Sequence, residues 1–213
     1  MDTKTILYDM DQRSDDWFAA RCGKLTASKL ADAIAKTRSG WGASRENYRA
    51  ELVAQRLTGI CPDGFKSAAM QWGIDNEDEG RLAYEIATGS SVEQVGFMDH
   101  PTIEWAGASP DGLVGDDGML ELKCPNTATH IDWVLGRTKI PAKYMTQMYW
   151  QMACAGRQWV DFVSYDPRLP GELMLWIQRV ERDDDRIAEL EELAQEFLAA
   201  VSADIEALKR KIK

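Results

Sequence analysis

The chain has 213 residues, of which 45% are hydrophobic and 28% charged, a balance that suits one globular domain spanning residues 1–213. No apolar run approaches the ~20 residues that a membrane span needs, and no basic and apolar N-terminal signal is present, so we expect no membrane association. Four scattered cysteines and two histidines disfavour a zinc site and favour reduced thiols in a cytoplasmic protein.

The formal net charge of −10 has the wrong sign for binding a polyanion, but the charge is unevenly distributed. Residues 21–49 contain seven basic and two acidic side chains, whereas residues 181–206 contain ten acidic and two basic ones. Acidic outer surfaces can confine a polyanion to a basic groove. We therefore expect a basic site region and an acidic C-terminal region, with chance clustering on solvated faces as the alternative.

Hydrophobic periodicity and turn residues predict the elements of the first part of the chain. Capping residues set the helix ends, with Thr26 or Ser28 at one N-terminus, Ser44 at the next, and Gly59 and Gly89 at C-termini. The predicted elements are a weak strand at 5–8, helical turns at 17–21, a helix to about 35, a loop at 36–42, a helix at 44–58, a turn at 61–64 and a long helix at 67–88.

The second part of the chain contains more strands. Strands are predicted at 92–98, 102–106, 159–165 and 172–180, a helix at 143–155 and a long C-terminal helix from Asp183. No repeat, low-complexity tract or linker divides the chain. The predicted fold class is α/β (α+β), with a mixed central sheet flanked by helices.

The stretch at 109–123, S-P-D-G-L-V-G-D-D-G-M-L-E-L-K, carries the clearest chemical signal. Asp111 lies in a Pro-Asp-Gly turn triplet, and the Gly-Asp-Asp-Gly turn at 115–118 separates two apolar runs, which predicts a β-hairpin. On the returning strand, the period of two places Glu121 and Lys123 on one face. The hairpin is therefore expected to bring Asp111 beside Glu121.

Two carboxylates and a lysine in this arrangement suit the hydrolysis of a phosphodiester. Mg²⁺ prefers carboxylate, water and phosphate oxygens, and Asp111 and Glu121 supply carboxylates. A bound metal lowers the pKa of water and neutralises charge on the phosphate, and Lys123 could orient the nucleophile or stabilise the oxyanion. The alternative is an acidic hairpin whose glutamate and lysine pair on a solvated face, because these residue types are common on surfaces.

Eight sequence blocks extend this interpretation beyond the hairpin. They are W-F-A-A-R at 17–21, L-T-A-S at 25–28, A-K-T-R-S-G at 35–40, W-G-I-D-N-E at 72–77, S-P-D-G-L at 109–113, E-L-K-C-P at 121–125, Y-M-T-Q at 144–147 and Y-D-P-R at 165–168. On these blocks the chain resembles the PD-(D/E)xK nucleases and, within them, the lambda-type phage exonucleases of the YqaJ viral recombinase family. The resemblance covers most of the chain and implies a restriction-endonuclease-like core.

The resemblance assigns a metal site to the hairpin. Asp111, Glu121 and the backbone carbonyl of Leu122 would hold Mg²⁺, with two ions expected per site and Mn²⁺ as an alternative. Lys123 would be catalytic.

Further positions follow from the resemblance outside the hairpin. Glu77 matches a Trp-Gly-x-x-x-Glu pattern and is expected to contact a metal or water, and Gln147 of Y-M-T-Q is expected at the catalytic site. Tyr144 and Met70 are weaker matches to DNA-contacting positions, the second to an apolar residue that helps part the strands.

The family's 5′-phosphate pocket maps onto Arg21, Ser28, Arg38 and Ser109. Each of these has an ordinary reading by itself, since Ser28 could be a helix cap and Arg38 a solvated loop residue. The four matches together favour a phosphate site.

The resemblance implies a Mg²⁺-dependent exonuclease that acts on double-stranded DNA from its 5′ end and leaves a 3′ single strand for recombination. It also implies a homotrimeric ring, a single-strand annealing recombinase as partner, and a phage or prophage origin. The alternatives are a restriction-like or repair endonuclease of the same superfamily, or a non-catalytic module that binds DNA ends.

Overall fold

The protein is described from a computed structural model that covers residues 7–38, 40–61 and 67–212. A single turn of 3-10 helix, Gly171–Met174, precedes the last strand. The strands and helices in chain order are β1 (Leu7–Tyr8), α1 (Asp15–Arg21), β2 (Leu25–Thr26), α2 (Ala27–Ala33), β3 (Lys36–Thr37), β4 (Gly40–Trp41), α3 (Ala43–Thr58), α4 (Ala68–Thr88), β5 (Val92–Glu93), β6 (Phe97–Asp99), β7 (Ala106–Ala108), β8 (Gly112–Val114), β9 (Gly118–Lys123), α5 (Thr127–Val134), α6 (Ala142–Ala155), β10 (Trp159–Tyr165), β11 (Leu175–Glu181) and α7 (Asp184–Lys209).

The central sheet has the strand order β11-β10-β9-β8-β5. Strands β9 and β10 are parallel and the other neighbours are antiparallel, so the predicted mixed sheet is confirmed. The predicted hairpin is confirmed as well, since β8 pairs with β9 in a register that places Gly112 opposite Leu120. Gly115 turns the chain with φ +54°, a left-handed conformation that glycine adopts without a steric penalty.

Successive side chains of the central strands point to opposite faces, and each face is covered by helices. On one face, Leu120 and Leu122 pack in a buried cluster with Tyr84 of α4. On the other face, Met119 and Phe162 pack in a cluster that contains residues of α5 and α6. The expectation of helices flanking the sheet is therefore confirmed.

A second sheet, with the order β1-β6-β7-β2, lies beside a third core built with α2, α3, α6 and α7. Leu25, Leu30, Trp150 and Phe197 are fully buried in this core. Strand β7 ends immediately before Ser109, so the second sheet delivers the chain to the start of the β8–β9 hairpin.

The long helices follow the prediction because their ends are set by local capping. Ser67 caps α4 by accepting a hydrogen bond from the backbone N–H of Met70, and Asp183 caps α7 in the same way. Gly89 and Gly156 end α4 and α6 in the left-handed conformation. None of the helices in the described ranges is long and apolar enough to cross a membrane.

Two strand predictions in the middle of the chain are wrong. The predicted strand at 102–106 is a loop in which the His100 Nδ1 accepts the backbone N–H of Ile103 at 3.1 Å, and the strand begins only at Ala106. The predicted strand at 92–98 is split into β5 and β6, which belong to different sheets. Gly96 lies at this break, where an added Cβ would come within 2.5 Å of Met10 Cγ.

Smaller differences concern element boundaries. The predicted loop at 36–42 contains the β3–β4 hairpin, and α3 starts after Gly42 rather than at the predicted cap, Ser44. Helix α5 was not predicted. The strand predicted at 172–180 starts at Leu175, because the 3-10 turn occupies its first residues. Most of the predicted turn at 61–64 and the first part of the predicted strand at 5–8 lie outside the described residues.

Candidate active site

The β8–β9 hairpin brings two carboxylates and a lysine into contact. Asp111 directly precedes β8, and its Oδ2 accepts the backbone N–H of Leu122 at 2.7 Å. The Nζ of Lys123 donates to Glu121 Oε1 and lies 3.9 Å from Asp111 Oδ2. The structure thus brings together the three side chains that the hairpin pattern selects, with the ammonium group facing both carboxylates.

Glu121 is completely buried and is surrounded by hydrogen-bond donors. Its Oε1 accepts a hydrogen bond from Gln147 Nε2 at 2.7 Å, and its Oε2 accepts one from Gln151 Nε2 at 2.6 Å. Both glutamines lie on α6, one helical turn apart, and therefore share a face. The structure places Gln147 at the site, as expected, and adds Gln151 to it.

The site concentrates negative charge in a poorly solvated place. Burial, followed by repulsion from Glu121 and Glu77, raises the pKa of Asp111 to about 8, although Lys123 acts in the opposite direction. Burial acts to lower the pKa of Lys123, but the carboxylates of Glu121 and Asp111 outweigh it and the net pKa is raised. Lys123 is therefore a cation at neutral pH.

Glu77 reaches the same site from α4. Its Oε2 forms an ion pair with Arg13 Nη1 at 2.9 Å, and it lines one cavity together with Asp111. Arg13 adopts a left-handed backbone conformation with φ +72°, which is uncommon for a residue with a Cβ. Sequence reasoning missed Arg13, because nothing in the polar N-terminal stretch distinguishes it from its neighbours.

A cavity of about 1020 Å³ opens beside the hairpin. Residues from α4, β9 and α6 line it, and the two weaker predicted DNA contacts are among them. Met70 is 54% exposed, and the ring centroid of Tyr144 lies 5.5 Å from Lys123 Nζ. The predicted residues that line this cavity are Met70, Glu77, Asp111, Leu122, Lys123 and Tyr144.

Trp72 and Arg168 also line this cavity and were not selected as site residues, although both lie in the quoted sequence blocks. The guanidinium carbon of Arg168 lies 4.4 Å from the centroid of the Trp72 ring. Arg168 forms an ion pair with the fully buried Asp166, in which Arg168 Nε lies 2.6 Å from Asp166 Oδ1. The Y-D-P-R block thus fixes a cation at the cavity wall.

The structure joins two of the four predicted phosphate-binding residues. Arg21 Nη1 donates to Ser109 Oγ at 3.1 Å, and Trp17 Nε1 donates to the same oxygen at 2.9 Å. The Arg21 guanidinium also stacks on the Trp17 ring at 4.0 Å from its centroid. Burial lowers the pKa of Arg21 to about 10, so the side chain stays positively charged at neutral pH. Trp17 is a member of this group that sequence reasoning missed.

The other two predicted phosphate-binding residues come from α2 and from the β3–β4 hairpin. Ser28 is exposed on α2, and Arg38 is exposed in the turn of the β3–β4 hairpin. Within the ranges that the structure covers, no contact links either residue to Arg21 or Ser109. Their assignment to the pocket therefore remains a prediction.

The oxygen donors of the site fit a divalent cation. No three His, Cys, Asp or Glu side chains among the described residues form a ready metal centre, so a cation here would need backbone, water or substrate oxygens besides Asp111 and Glu121. Mg²⁺ is commonly bound in this way, through one or two carboxylates together with water and phosphate. Burial and then repulsion from Glu121 and Glu77 raise the pKa of Asp111, and a divalent cation would relieve that repulsion.

Two solved structures of one protein are closely similar to this chain. The crystal structure of LHK-Exo in complex with dAMP is 53% identical, covers 93% of this chain and 98% of that chain, and has a TM-score of 0.86. The crystal structure of the alkaline exonuclease LHK-Exo from Laribacter hongkongensis has the same identity and coverage and a TM-score of 0.85. This match confirms the predicted restriction-endonuclease-like fold class.

More distant comparisons agree on the fold. A phage-related exonuclease from Haemophilus somnus 129PT is 16% identical, covers 89% of this chain and 96% of that chain, and has a TM-score of 0.65, which shows a shared fold alone. Comparison with curated protein sequences found no significant match. The YqaJ-like viral recombinase domain matches residues 16–158, which is more than half of the chain. The protein therefore belongs to the YqaJ-like viral recombinase domain family, as its ordered sequence blocks predict.

Proposed function

We propose that the protein is a Mg²⁺-dependent exodeoxyribonuclease that degrades one strand of duplex DNA from the 5′ end, releases mononucleotides and leaves a 3′ single strand. The observation that carries this proposal is the contact of Lys123 with the carboxylates of Asp111 and Glu121, beside a large cavity that Lys123 and Asp111 line. Two oxygen donors for a hard cation and a fixed positive charge are the groups that phosphodiester hydrolysis requires.

The relatives support the same activity. LHK-Exo, which is 53% identical to this chain, is described as an alkaline exonuclease, and it has been crystallised with dAMP, a deoxynucleoside monophosphate. The family description, a viral recombinase domain, supports action on phage or prophage DNA in the cytoplasm of a bacterial host.

The residues of the site have separable chemical tasks. Asp111, Glu121 and the carbonyl of Leu122 would hold Mg²⁺, and two ions per site are proposed. When bound, the metal supplies charge neutralisation and a water of lowered pKa. Lys123, a cation paired with two carboxylates, is placed to stabilise negative charge that develops on the phosphate. Glu77, paired with Arg13, would orient a water or a metal ligand from α4.

The pair of Arg21 and Ser109 supports the proposed 5′ polarity. A guanidinium donates parallel N–H groups to a terminal phosphate, and a hydroxyl adds a further donor. Ser109 lies two residues before Asp111, so a phosphate bound there would be tethered close to the scissile bond. Ser28 and Arg38 would be the further residues that bind the 5′-phosphate of the DNA.

Analysis of the products tests this function. Linear duplex with 5′-phosphate ends, linear duplex with 5′-hydroxyl ends and closed circular duplex are each incubated with Mg²⁺ and, as control, with a chelator. We expect mononucleotides from the 5′-phosphate duplex, slower digestion of the 5′-hydroxyl duplex, an intact circle and no cleavage with chelator. Cleavage of the closed circle would instead identify a restriction-like or repair endonuclease. Binding to ends without cleavage in any metal would identify a non-catalytic end-binding module.

A further inference from the structure

Glu121 is held by donors on both of its carboxylate oxygens. Because the side chain is completely buried, the protein itself must supply the hydrogen bonds that water would provide at the surface. Lys123 and Gln147 donate to Oε1, whereas Gln151 alone among the described residues donates to Oε2. Hydrogen-bond donors to both oxygens therefore define the plane of the Glu121 carboxylate.

Gln151 is an unusual residue for this position. It is completely buried, and its Oε1 has no hydrogen-bond partner in the described part of the chain. An unsatisfied buried acceptor costs about 1–3 kcal/mol, which an apolar side chain of the same size would avoid. Met148, three residues earlier on α6, is fully buried and apolar, so an apolar residue would be ordinary at a buried position of this helix. Among the described residues, the one hydrogen bond that the amide forms is the 2.6 Å bond from its Nε2 to Glu121 Oε2.

We propose that Gln151 is a positioning residue that holds the Oε2 of Glu121 so that the carboxylate is presented to a divalent cation in one fixed orientation. Gln147 anchors the other oxygen from the preceding turn of the same helix, so the two amides fix rotation about the terminal side-chain bond. Neutral amide donors supply hydrogen bonds to a buried carboxylate without adding positive charge that would repel a cation. This inference rests on the proposed metal-dependent function and deepens it.

The magnitude expected follows from the behaviour of groups that orient metal ligands. Removal of such a partner typically weakens metal binding by about 10–100-fold. Gln151→Met keeps the side-chain volume and removes the donor, whereas Gln151→Asn keeps a buried amide but withdraws it by one methylene from Glu121. Both variants should weaken the binding of Mn²⁺ by about this factor.

The experiment is calorimetric titration of the full-length protein with MnCl₂, alongside circular dichroism and thermal unfolding. The matched control is Gln55→Met, which removes another buried glutamine amide far along the chain, where it accepts the backbone N–H of Gly23. Gln55→Met should leave the Kd for Mn²⁺ unchanged. At saturating Mn²⁺, the kcat of the two Gln151 variants should recover towards that of the wild type, and their KM for DNA should not change.

A double-mutant cycle tests whether Gln151 acts through Glu121. In a Glu121→Asp background, which keeps a carboxylate ligand but withdraws it by one methylene from the Gln151 amide, addition of Gln151→Met should weaken Mn²⁺ binding less than it does in the wild type, because the group that it positions is already displaced. An unchanged Kd for Mn²⁺ in both folded Gln151 variants overturns the inference, and so does an equal loss in Gln55→Met or an additive loss in the double variant. If the wild type itself neither binds Mn²⁺ nor cleaves DNA, the proposed function fails, which is a result distinct from these.

Discussion

At the scale of single residues, the site contains two carboxylates that would hold a metal ion and one ammonium group that would stabilise negative charge on the phosphate. Asp111 and Glu121 offer oxygen, whereas Lys123 carries a positive charge that faces both of them. The carboxylates of Glu121 and Asp111 raise the pKa of Lys123, which favours its protonated, positively charged form. Metal affinity and turnover are therefore expected to respond differently to substitutions of these residues.

We predict that Asp111→Ala and Glu121→Ala abolish both Mg²⁺ binding and cleavage, because each removes an oxygen ligand. Lys123→Ala should lower the rate by about 10²–10³-fold, as loss of a charge-stabilising donor does, while Mg²⁺ still binds. Calorimetry with Mg²⁺ and a single-turnover rate on linear duplex measure the two quantities. Turnover near that of the wild type in Lys123→Ala would remove this residue from the catalytic site.

Arg21 should determine the preference for the 5′ end. We predict that Arg21→Ala slows digestion and reduces the ratio of rates on 5′-phosphate and 5′-hydroxyl ends towards one, because it removes the charged donor beside Ser109. The matched control is Arg49→Ala, since Arg49 forms ion pairs with Glu46 and Asp204. Time courses on both end types provide the measurement. The same end preference in wild type and Arg21→Ala would show that this pocket does not determine the 5′ polarity.

At the scale of elements, the site depends on close packing between the two sheets and their helices. Helix α6 presents Tyr144, Gln147 and Gln151 at intervals of three and four residues, so that one face meets the end of β9. In the second sheet, Gly107 on β7 packs directly against β6. This close approach holds β7, which ends immediately before Ser109, against β6.

We predict that Gly107→Ala destabilises the protein by about 1–3 kcal/mol or more, because there is no space for a methyl group. An added Cβ would lie 2.3 Å from Phe97 Cζ and 2.4 Å from the carbonyl oxygen of Met98. The control is Gly73→Ala in α4, where the added Cβ would meet no heavy atom within 4 Å apart from its chain neighbours and the helix's own backbone. This variant should be unchanged or more stable by about 0.5–1 kcal/mol, since alanine favours helix. Urea unfolding compares the two, and equal free energies of unfolding would contradict the packing argument.

At the scale of the whole molecule, the predicted separation of basic and acidic regions is incomplete. Four of the seven basic residues in 21–49 are paired with carboxylates, and some of their partners lie on the acidic α7. These pairs are Lys24–Asp99, Lys29–Asp32, Arg45–Glu196 and Arg49 with Glu46 and Asp204. Some of these basic side chains therefore form ion pairs within the fold. Fewer of them are free to line a groove than the sequence suggests.

The stability of the molecule should fall in mild acid because of His100. This residue packs on Trp150 with ring centroids 4.8 Å apart, and Glu191 of α7 lies 3.2 Å from its Nε2. Burial lowers the pKa of His100 to about 4. In the unfolded chain this histidine takes up a proton near its ordinary pKa of ~6.5, whereas in the folded protein it stays neutral at that pH. This contribution to stability is complete above about pH 6.5 and is lost as the pH falls towards 4.

We predict that the free energy of unfolding contributed by this linkage decreases by about 1–2 kcal/mol between pH 7.5 and pH 5. His100→Asn keeps an acceptor for the local backbone N–H groups and removes the titration, so its stability should change less over the same range. Urea unfolding at several pH values measures both proteins. Parallel pH profiles for wild type and variant would show that other groups dominate.

We further predict a homotrimer, on the basis of the family resemblance, and a ring would explain processive digestion because DNA threads through it. Sedimentation equilibrium at micromolar concentration should give about three times the monomer mass of 23.9 kDa. A monomer as the sole species would contradict this prediction. Co-purification with a single-strand annealing protein would test the proposed partner separately.

The sequence by itself determined the features that depend on neighbouring residues. Turn chemistry and the period of two placed Asp111, Glu121 and Lys123 together, because a hairpin joins residues that are close along the chain. Caps and left-handed glycines set the ends of the long helices for the same reason. The ordered blocks also identified the family, which the match to residues 16–158 confirmed.

Only the tertiary structure decided which distant residues meet at the site. Gln151 reaches Glu121 across 30 positions of sequence, Arg13 reaches Glu77 across 64, and Trp17 reaches Ser109 across 92. These contacts arise because helices pack on the sheet to bury apolar surface, and the burial of one face positions the polar groups on its edge. Local propensity contains no information about such pairs, and it also could not show that the stretch at 102–106 is a loop organised by a buried histidine.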